Sequence, residues 1–182
     1  MLKKILIFGG TGYIGKPLVD LLKGQYRLLV VTRDASRHRP SDGVSYYEWD
    51  GVECLSDQLN DSFAVINLAG ENIGNKKWTS SQKELIKESR VSVAQAIKHG
   101  IELCQTPPQV WIQASAVGYY GQQGRSGHYA TEESPKSVQP DFLSEVCRVW
   151  EQPIQDCTVS LRKIVIRSGV VLSPQSQVWK QT

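Results

Sequence analysis

This 182-residue sequence has no block of like charge, no apolar run long enough for a membrane and no paired cysteine motif. Lys plus Arg number 21 and Asp plus Glu 18, a net charge of +3, and the one local basic group is Arg33, Arg37 and Arg39. A nucleic-acid surface needs a basic stripe or a known module, so no nucleic-acid partner is expected. No apolar stretch approaches the ~18 residues of a membrane span, so no membrane partner is expected either. Two lysines precede the apolar run Ile5-Leu6-Ile7-Phe8. That run stops at Gly9, short of the ~7 to 15 residues of a secretory h-region. Cys54, Cys104, Cys147 and Cys157 form no C-x-x-C pair and have no histidine-rich spacing, which excludes a signalled zinc or dithiol site. The expectation is reduced thiols, no metal and a cytoplasmic setting. Apolar residues at 40% and charged residues at 21% exclude a disordered chain.

At roughly 150 residues per domain the length predicts one domain. Ile5–Phe8 is a continuous apolar run closed by glycines, as in a parallel strand buried on both faces. Ile14, Leu18, Leu21 and Leu22 then repeat at helical spacing, with Pro17 tolerable in the first turn and Gly24 as the stop. Leu28–Val31, Val44–Trp49, Phe63–Leu68, Val110–Ser115 and Ile164–Ile166 read as five further strands. Ser81-x-x-Glu84 has capping-box form and opens a helix with Ile86, Val93, Ile97 and Ile101 on one face, its end bracketed by Gly100 and Pro107-Pro108. Asp141 caps a helix carrying Phe142, Val146, Val149 and Trp150. Strand and helix alternate, predicting an α/β fold: a Rossmann-like, doubly wound parallel sheet with helices on both faces, over residues 1–172. The polar stretch 122–139 is too long for a simple connector and reads as a functional or disordered loop. Residues 173–182 form a polar tail that reads as a truncation point.

Gly9-Gly10-Thr11-Gly12-Tyr13-Ile14-Gly15 places Gly-x-x-Gly-x-x-Gly between the first strand and its helix. The three glycines suit a tight turn, close approach of backbone to a pyrophosphate, and packing of helix on strand. The helix start offers unpaired N–H groups and partial positive charge to the phosphates. Flanking strand and helix are the context this motif requires, so the loop predicts a dinucleotide cofactor. After the second strand the chain runs Thr32-Arg33-Asp34. An arginine there accommodates a 2′-phosphate and an acidic residue grips a 2′-hydroxyl, so Arg33 favours NADP(H) while Asp34 keeps NAD(H) as the alternative.

Further motifs follow in order: Asn67-Leu68-Ala69-Gly70-Glu71-Asn72, Ser89-Arg90, Ala114-Ser115-Ala116-Val117-Gly118-Tyr119-Tyr120-Gly121, and Arg167-Ser168-Gly169-Val170-Val171-Leu172. With the glycine loop they resemble an extended short-chain dehydrogenase/reductase of the NAD-dependent epimerase/dehydratase type. Within it they are most similar to the atypical branch labelled nucleotide-sugar epimerase-like or cell-division-inhibitor-like. The resemblance implies that Thr32 and Arg33 lie at the adenosine ribose and its phosphate, Asp50 near the adenine, and Leu68, Ala69 and Gly70 along the cofactor. It places Val170 toward the nicotinamide, Ser115 as the hydroxyl that bonds the substrate oxygen, and Arg90 where typical members carry a catalytic asparagine. Read without the family pattern, Asp50 is a turn residue, Ser115 a strand-end cap and Arg90 a surface arginine.

The same resemblance exposes an absence. Typical members carry Tyr-x-x-x-Lys on the helix after the fifth strand, for proton transfer. Here Leu143 and Cys147 stand at those positions, or Phe142 and Val146 one register away, and none of the seven tyrosines has lysine four residues later. Acid–base help is worth ~10²–10⁴ in rate, so ordinary carbonyl reduction is put in doubt. The sequence leaves Tyr119, Tyr120 or water as the proton donor and Cys147 as a candidate nucleophile, against the plainer reading of Cys147 as an inert buried thiol. Two functions stay open: an NADP(H)-dependent oxidoreductase or epimerase-like enzyme with an unknown small-molecule substrate, and a non-catalytic dinucleotide-binding sensor or scaffold.

Overall fold

The computed structural model describes residues 1–74, 76–121, 129–137 and 140–172. The polar tail 173–182 and half of the loop 122–139, residues 122–128 and 138–139, lie outside the described residues. Six strands form one sheet: β1 (Lys4–Phe8), β2 (Arg27–Thr32), β3 (Val44–Glu48), β4 (Ala64–Asn67), β5 (Val110–Ala116) and β6 (Arg162–Ser168). Every pairing is parallel and the order is β3-β2-β1-β4-β5-β6. The chain winds outward from β1 in one direction and, starting at β4, in the other. This is the doubly wound Rossmann-like topology, whose ligand crevice lies beyond the carboxyl ends of the strands where the order reverses.

Apolar runs in the central strands fill both faces, as parallel strands require. On one face Leu6, Phe8, Val65 and Trp111 pack with Ile97 and Ile101 of α3 (Ser80–Leu103) and Ile154 of α4 (Phe142–Asp156). On the other, Ile5, Ile7, Val30 and Ile66 meet Val19 of α1 (Gly15–Leu22).

Several local expectations change. Gly15 and Val19, one turn apart, are the buried residues of α1, whereas Leu21 is 68% exposed; it follows Val19 by two residues, about 200° round the helix, and so faces away from the sheet. The capping box at Ser81 is not formed, because the Thr79 side chain accepts from Gln82 N at 3.2 Å and opens α3 two residues earlier. α3 ends at Leu103, inside the bracket of Pro107-Pro108 and Gly100. A Cβ on Gly100 would meet Leu59 Cδ1 at 2.7 Å, so this glycine lets α2 (Ser56–Leu59) pack closely on α3. That helix, a single turn, is too short to leave a period. β6 is longer than its apolar core, since Arg162, Lys163, Arg167 and Ser168 pair in register with β5. Asp141 does cap α4, accepting from Ser144 N at 2.8 Å, and Gly24 does follow α1 with φ +83°.

Candidate functional site

The loop from β1 to α1 is built from backbone. Gly12 N donates to Gly9 O at 3.0 Å and Lys16 N to Gly12 O at 2.9 Å, which folds the chain over before the helix starts. Gly9 has φ +75°, and a Cβ there would lie 2.8 Å from the Leu68 carbonyl of β4's end. On Gly15 a Cβ would fall 2.1 Å from Gly9 O and 2.6 Å from Gly10 Cα. Glycine is therefore dictated at both ends of the loop by close backbone approach. Thr11, Gly12, Tyr13 and Ile14 face solvent, and no side chain caps the first turn of α1. Lys16 N–H is spent on Gly12 O and Pro17 has none, so the N–H groups of Ile14 and Gly15 are the ones without an acceptor among the described residues, at the partly positive start of the helix.

A second segment meets this loop. Asn67, fully buried at the end of β4, donates from Nδ2 to Gln113 Oε1 at 3.0 Å and accepts from Ala69 N at 3.1 Å. Leu68 and Ala69 are thus held against Gly9. Beyond them, Glu71 N donates to Ser89 Oγ at 2.9 Å, and a Cβ on Gly70 would strike the Arg90 guanidinium at 2.9 Å. Arg90 Nη1 donates to Ile86 O of its own helix, and its guanidinium lies 4.9 Å from the Trp150 ring centroid. Burial pulls its pKa down. Arg90 is a half-buried brace for the β4 turn, so the motif Ser89-Arg90 acts here by latching that turn to α3.

After β2, Thr32 Oγ1 accepts from Asp34 N at 3.4 Å. The Asp34 carboxylate accepts from Ser36 N and Ser36 Oγ and pairs with Arg37 Nε at 2.7 Å, and these contacts lower its pKa, the Ser36 hydroxyl most. Arg33 is exposed and makes no ion pair among the described residues. Asp50 accepts from Val52 N at 2.8 Å and Glu53 N at 3.3 Å, organising a turn beyond β3. Val170 is 78% exposed past the end of β6. The fold thus gathers Gly9 to Gly15 with Leu68, Ala69, Gly70 and Arg90, and sets Arg33 one strand away. Asp50 and Val170 stand farther out on the same strand-end side of the sheet.

The second cluster joins β5, α4 and β6. Ser115, 3% exposed, donates its hydroxyl hydrogen to Glu151 Oε1 at 2.5 Å. Glu151 is fully buried on α4, and Arg167 of β6 clamps it through Nε at 2.9 Å and Nη2 at 2.7 Å. Glu151 holds the guanidinium charged well beyond its ordinary range. Arg167 Nη1 reaches on to Tyr120 Oη at 2.9 Å. In this arrangement Ser115 has no hydrogen left for a substrate carbonyl; its free lone pairs can only accept. Cys147 is buried beside it, and burial pushes the thiol up, opposed by its contacts with the Ala116 backbone and Ser115. Those surroundings disfavour a thiolate. Gly118, in the 3₁₀ turn Val117–Tyr120, puts its ideal Cβ 3.5 Å from both Cys147 Sγ and Leu143 Cβ, so the two helix positions pack against this turn.

Sequence reasoning missed Glu151. An acidic residue on a helix reads as solvated, and only its position opposite Ser115 and Arg167 shows otherwise. Among the described residues no three His, Cys, Asp or Glu gather to hold a metal, and no helix is long and apolar enough to cross a membrane. A groove of about 520 Å³ opens between α3 and α4, bordered by His99, Arg148 and Pro153, away from both clusters.

Residues 5–141 match the model of the NAD dependent epimerase/dehydratase family. An epimerase family protein of Staphylococcus saprophyticus is 36% identical over 176 residues, 94% of this chain and 56% of that protein. The crystal structure of human epimerase family protein SDR39U1 (isoform 2) with NADPH superposes with a TM-score of 0.79 at 30% identity, covering 98% of this chain and 58% of the human one. A UDP-glucuronic acid 4-epimerase from Bacillus cereus, solved with NAD, shares the fold at 17% identity, with a TM-score of 0.72 over 95% of this chain and 58% of the other. The chain spans about half the length of the curated relatives it matches. With the glycine loop, the latched β4 turn and the strand order all in agreement, the chain belongs to the NAD-dependent epimerase/dehydratase family.

Proposed function

We propose that this chain binds NADP(H) across the glycine loop and is an oxidoreductase or epimerase-like protein for a small carbonyl or sugar-like substrate. The cradle suits a pyrophosphate because side chains are excluded at Gly9 and Gly15 and the start of α1 is uncapped. The observation that carries the preference for NADP(H) is the contrast after β2. Asp34 is engaged by Ser36 and Arg37, whereas Arg33 is exposed and unpaired among the described residues. A ribose 2′-hydroxyl would compete for an occupied carboxylate; a 2′-phosphate would meet an available guanidinium. The NADPH of the human relative agrees with this, while the NAD of the Bacillus cereus enzyme shows that the fold accepts either. A bound nicotinamide supplies hydride to a carbonyl carbon, or removes it in reverse. Four free cysteines suit a reducing, cytoplasmic setting.

Dissociation constants for NADPH and NADH test the assignment. NADPH should bind more tightly, and Arg33→Ser should weaken NADPH about tenfold, the equivalent of about 1.4 kcal/mol, with little change for NADH. Tighter NADH in the wild type overturns the preference, and no binding of either by a folded chain overturns the reading. A second reading, a non-catalytic dinucleotide sensor or scaffold, draws on Leu143 and Cys147 packing where proton-transfer residues are otherwise found. It is favoured if cofactor binds and no carbonyl in a broad panel is reduced.

A further inference from the structure

The cluster around Glu151 has a buried end and an outward end. Ser115 is the buried end, with its hydrogen committed to the carboxylate. The outward end is Tyr120, half-buried, in the 3₁₀ turn that follows β5 directly. Arg167 uses Nε and Nη2 on Glu151, and its Nη1 donates to Tyr120 Oη at 2.9 Å. A phenol oxygen that accepts from a guanidinium keeps its own hydrogen for another acceptor. Among the described residues Tyr120 donates that hydrogen to none. The ring is also fixed in place. Tyr119 stands edge-on at 5.4 Å between centroids, and the Arg167 guanidinium lies 3.6 Å from the Tyr119 centroid.

We propose that Tyr120 is the proton donor of this site, and that Arg167, clamped by Glu151, is the positioning residue that keeps the phenol hydrogen directed at substrate. This rests on the enzymatic reading above. During reduction the Tyr120 O–H bond breaks and its proton passes to the carbonyl oxygen as hydride reaches the carbon. The electron pair stays on Tyr120 Oη, next to the guanidinium, which stabilises the oxyanion until water returns a proton. In the oxidising direction the same oxygen takes the proton of the alcohol. Glu151 neutralises and orients Arg167 from the buried side, and Ser115 satisfies a further lone pair of the carboxylate.

Tyr120→Phe removes the hydroxyl and keeps the ring contacts. With NADPH and a panel of small aldehydes, ketones and quinones, the variant should oxidise NADPH about 10²-fold more slowly or worse, the scale of general acid catalysis. Its NADPH dissociation constant and melting curve should match the wild type. Arg167→Gln should displace the pH profile of turnover, and Arg167→Lys should restore it. Undiminished turnover in Tyr120→Phe, or a pH profile of turnover left unmoved by Arg167→Gln, overturns the role of Tyr120 and leaves cofactor binding standing. Failure of the wild type to bind NADPH, or bound NADPH with no turnover on the panel, overturns the enzymatic reading and this role with it.

Discussion

The two clusters at the carboxyl edge of the sheet are made in opposite ways. At β1–α1 the working groups are backbone N–H and the space left by missing side chains, all within seven consecutive residues, Gly9 to Gly15. At β5–α4–β6 they are side chains at positions 115, 120, 151 and 167, assembled from four separate elements. The first cluster is exposed from Thr11 to Ile14 and no side chain caps the helix that follows it. The second is mostly buried and satisfies its own charges. A site made of backbone leaves a contiguous signature in sequence, because each close approach forbids a Cβ at one position. A site made of side chains exists only once tertiary contacts have brought its members together.

Removing charge balance from the side-chain cluster should have the largest effect on stability. Glu151→Ala leaves the Arg167 guanidinium facing a buried hole, and breaking such a pair costs about 3 kcal/mol or more, roughly 6–12 °C in melting temperature at this size. Pairing Glu151→Leu with Arg167→Met should recover most of that loss; a double variant as unstable as the single would show that packing, not charge, is at work. In the backbone cluster, Gly15→Ala forces a Cβ against Gly9 O, where ideal geometry leaves 2.1 Å. Thermal melts should show a loss of about 1–3 kcal/mol, and titration should show NADPH binding abolished, since the loop must open to make room. Retained binding would mean that the cradle is not the phosphate site. The smallest effect lies outside both clusters. Cys104 is pushed up to about 11, first by burial, from an ordinary value of 9.0. The folded state therefore holds the thiol proton more tightly than the unfolded chain does. The stability this contributes is complete below pH 9 and is lost as pH rises from there through about 11. Cys104→Ser should flatten that alkaline limb in melting curves relative to the wild type, with no change near neutrality.

Legibility in the sequence followed the same division. Six strands, the doubly wound class, the glycine loop and the Asp141 cap could be read, because each rests on local composition or a short period. The misreadings came where a local rule had a competitor in space. Ser81-x-x-Glu84 satisfies the capping pattern, yet Thr79 is the residue that accepts from Gln82 N and opens the helix. Gly100 does bracket the end of α3, but its other use, as a bare surface for α2, has no local signal. Leu21 fits the apolar period of α1, but the buried face is that of Gly15 and Val19. Asp50 and Asp34 are equivalent as acidic residues in sequence; in the fold both carboxylates hold local turns.

By itself the sequence determined the alternation that makes a parallel sheet and the glycines that the closely packed β1–α1 loop demands, because steric exclusion and periodicity act between near neighbours. Tertiary structure alone decided that Asp34 is engaged while Arg33 is available, that Arg90 braces a turn, and that Glu151 is a buried counter-ion. The physical reason is that charge and hydrogen bonding take their value from burial and from partners far along the chain. The run of residues around Glu151 carries neither.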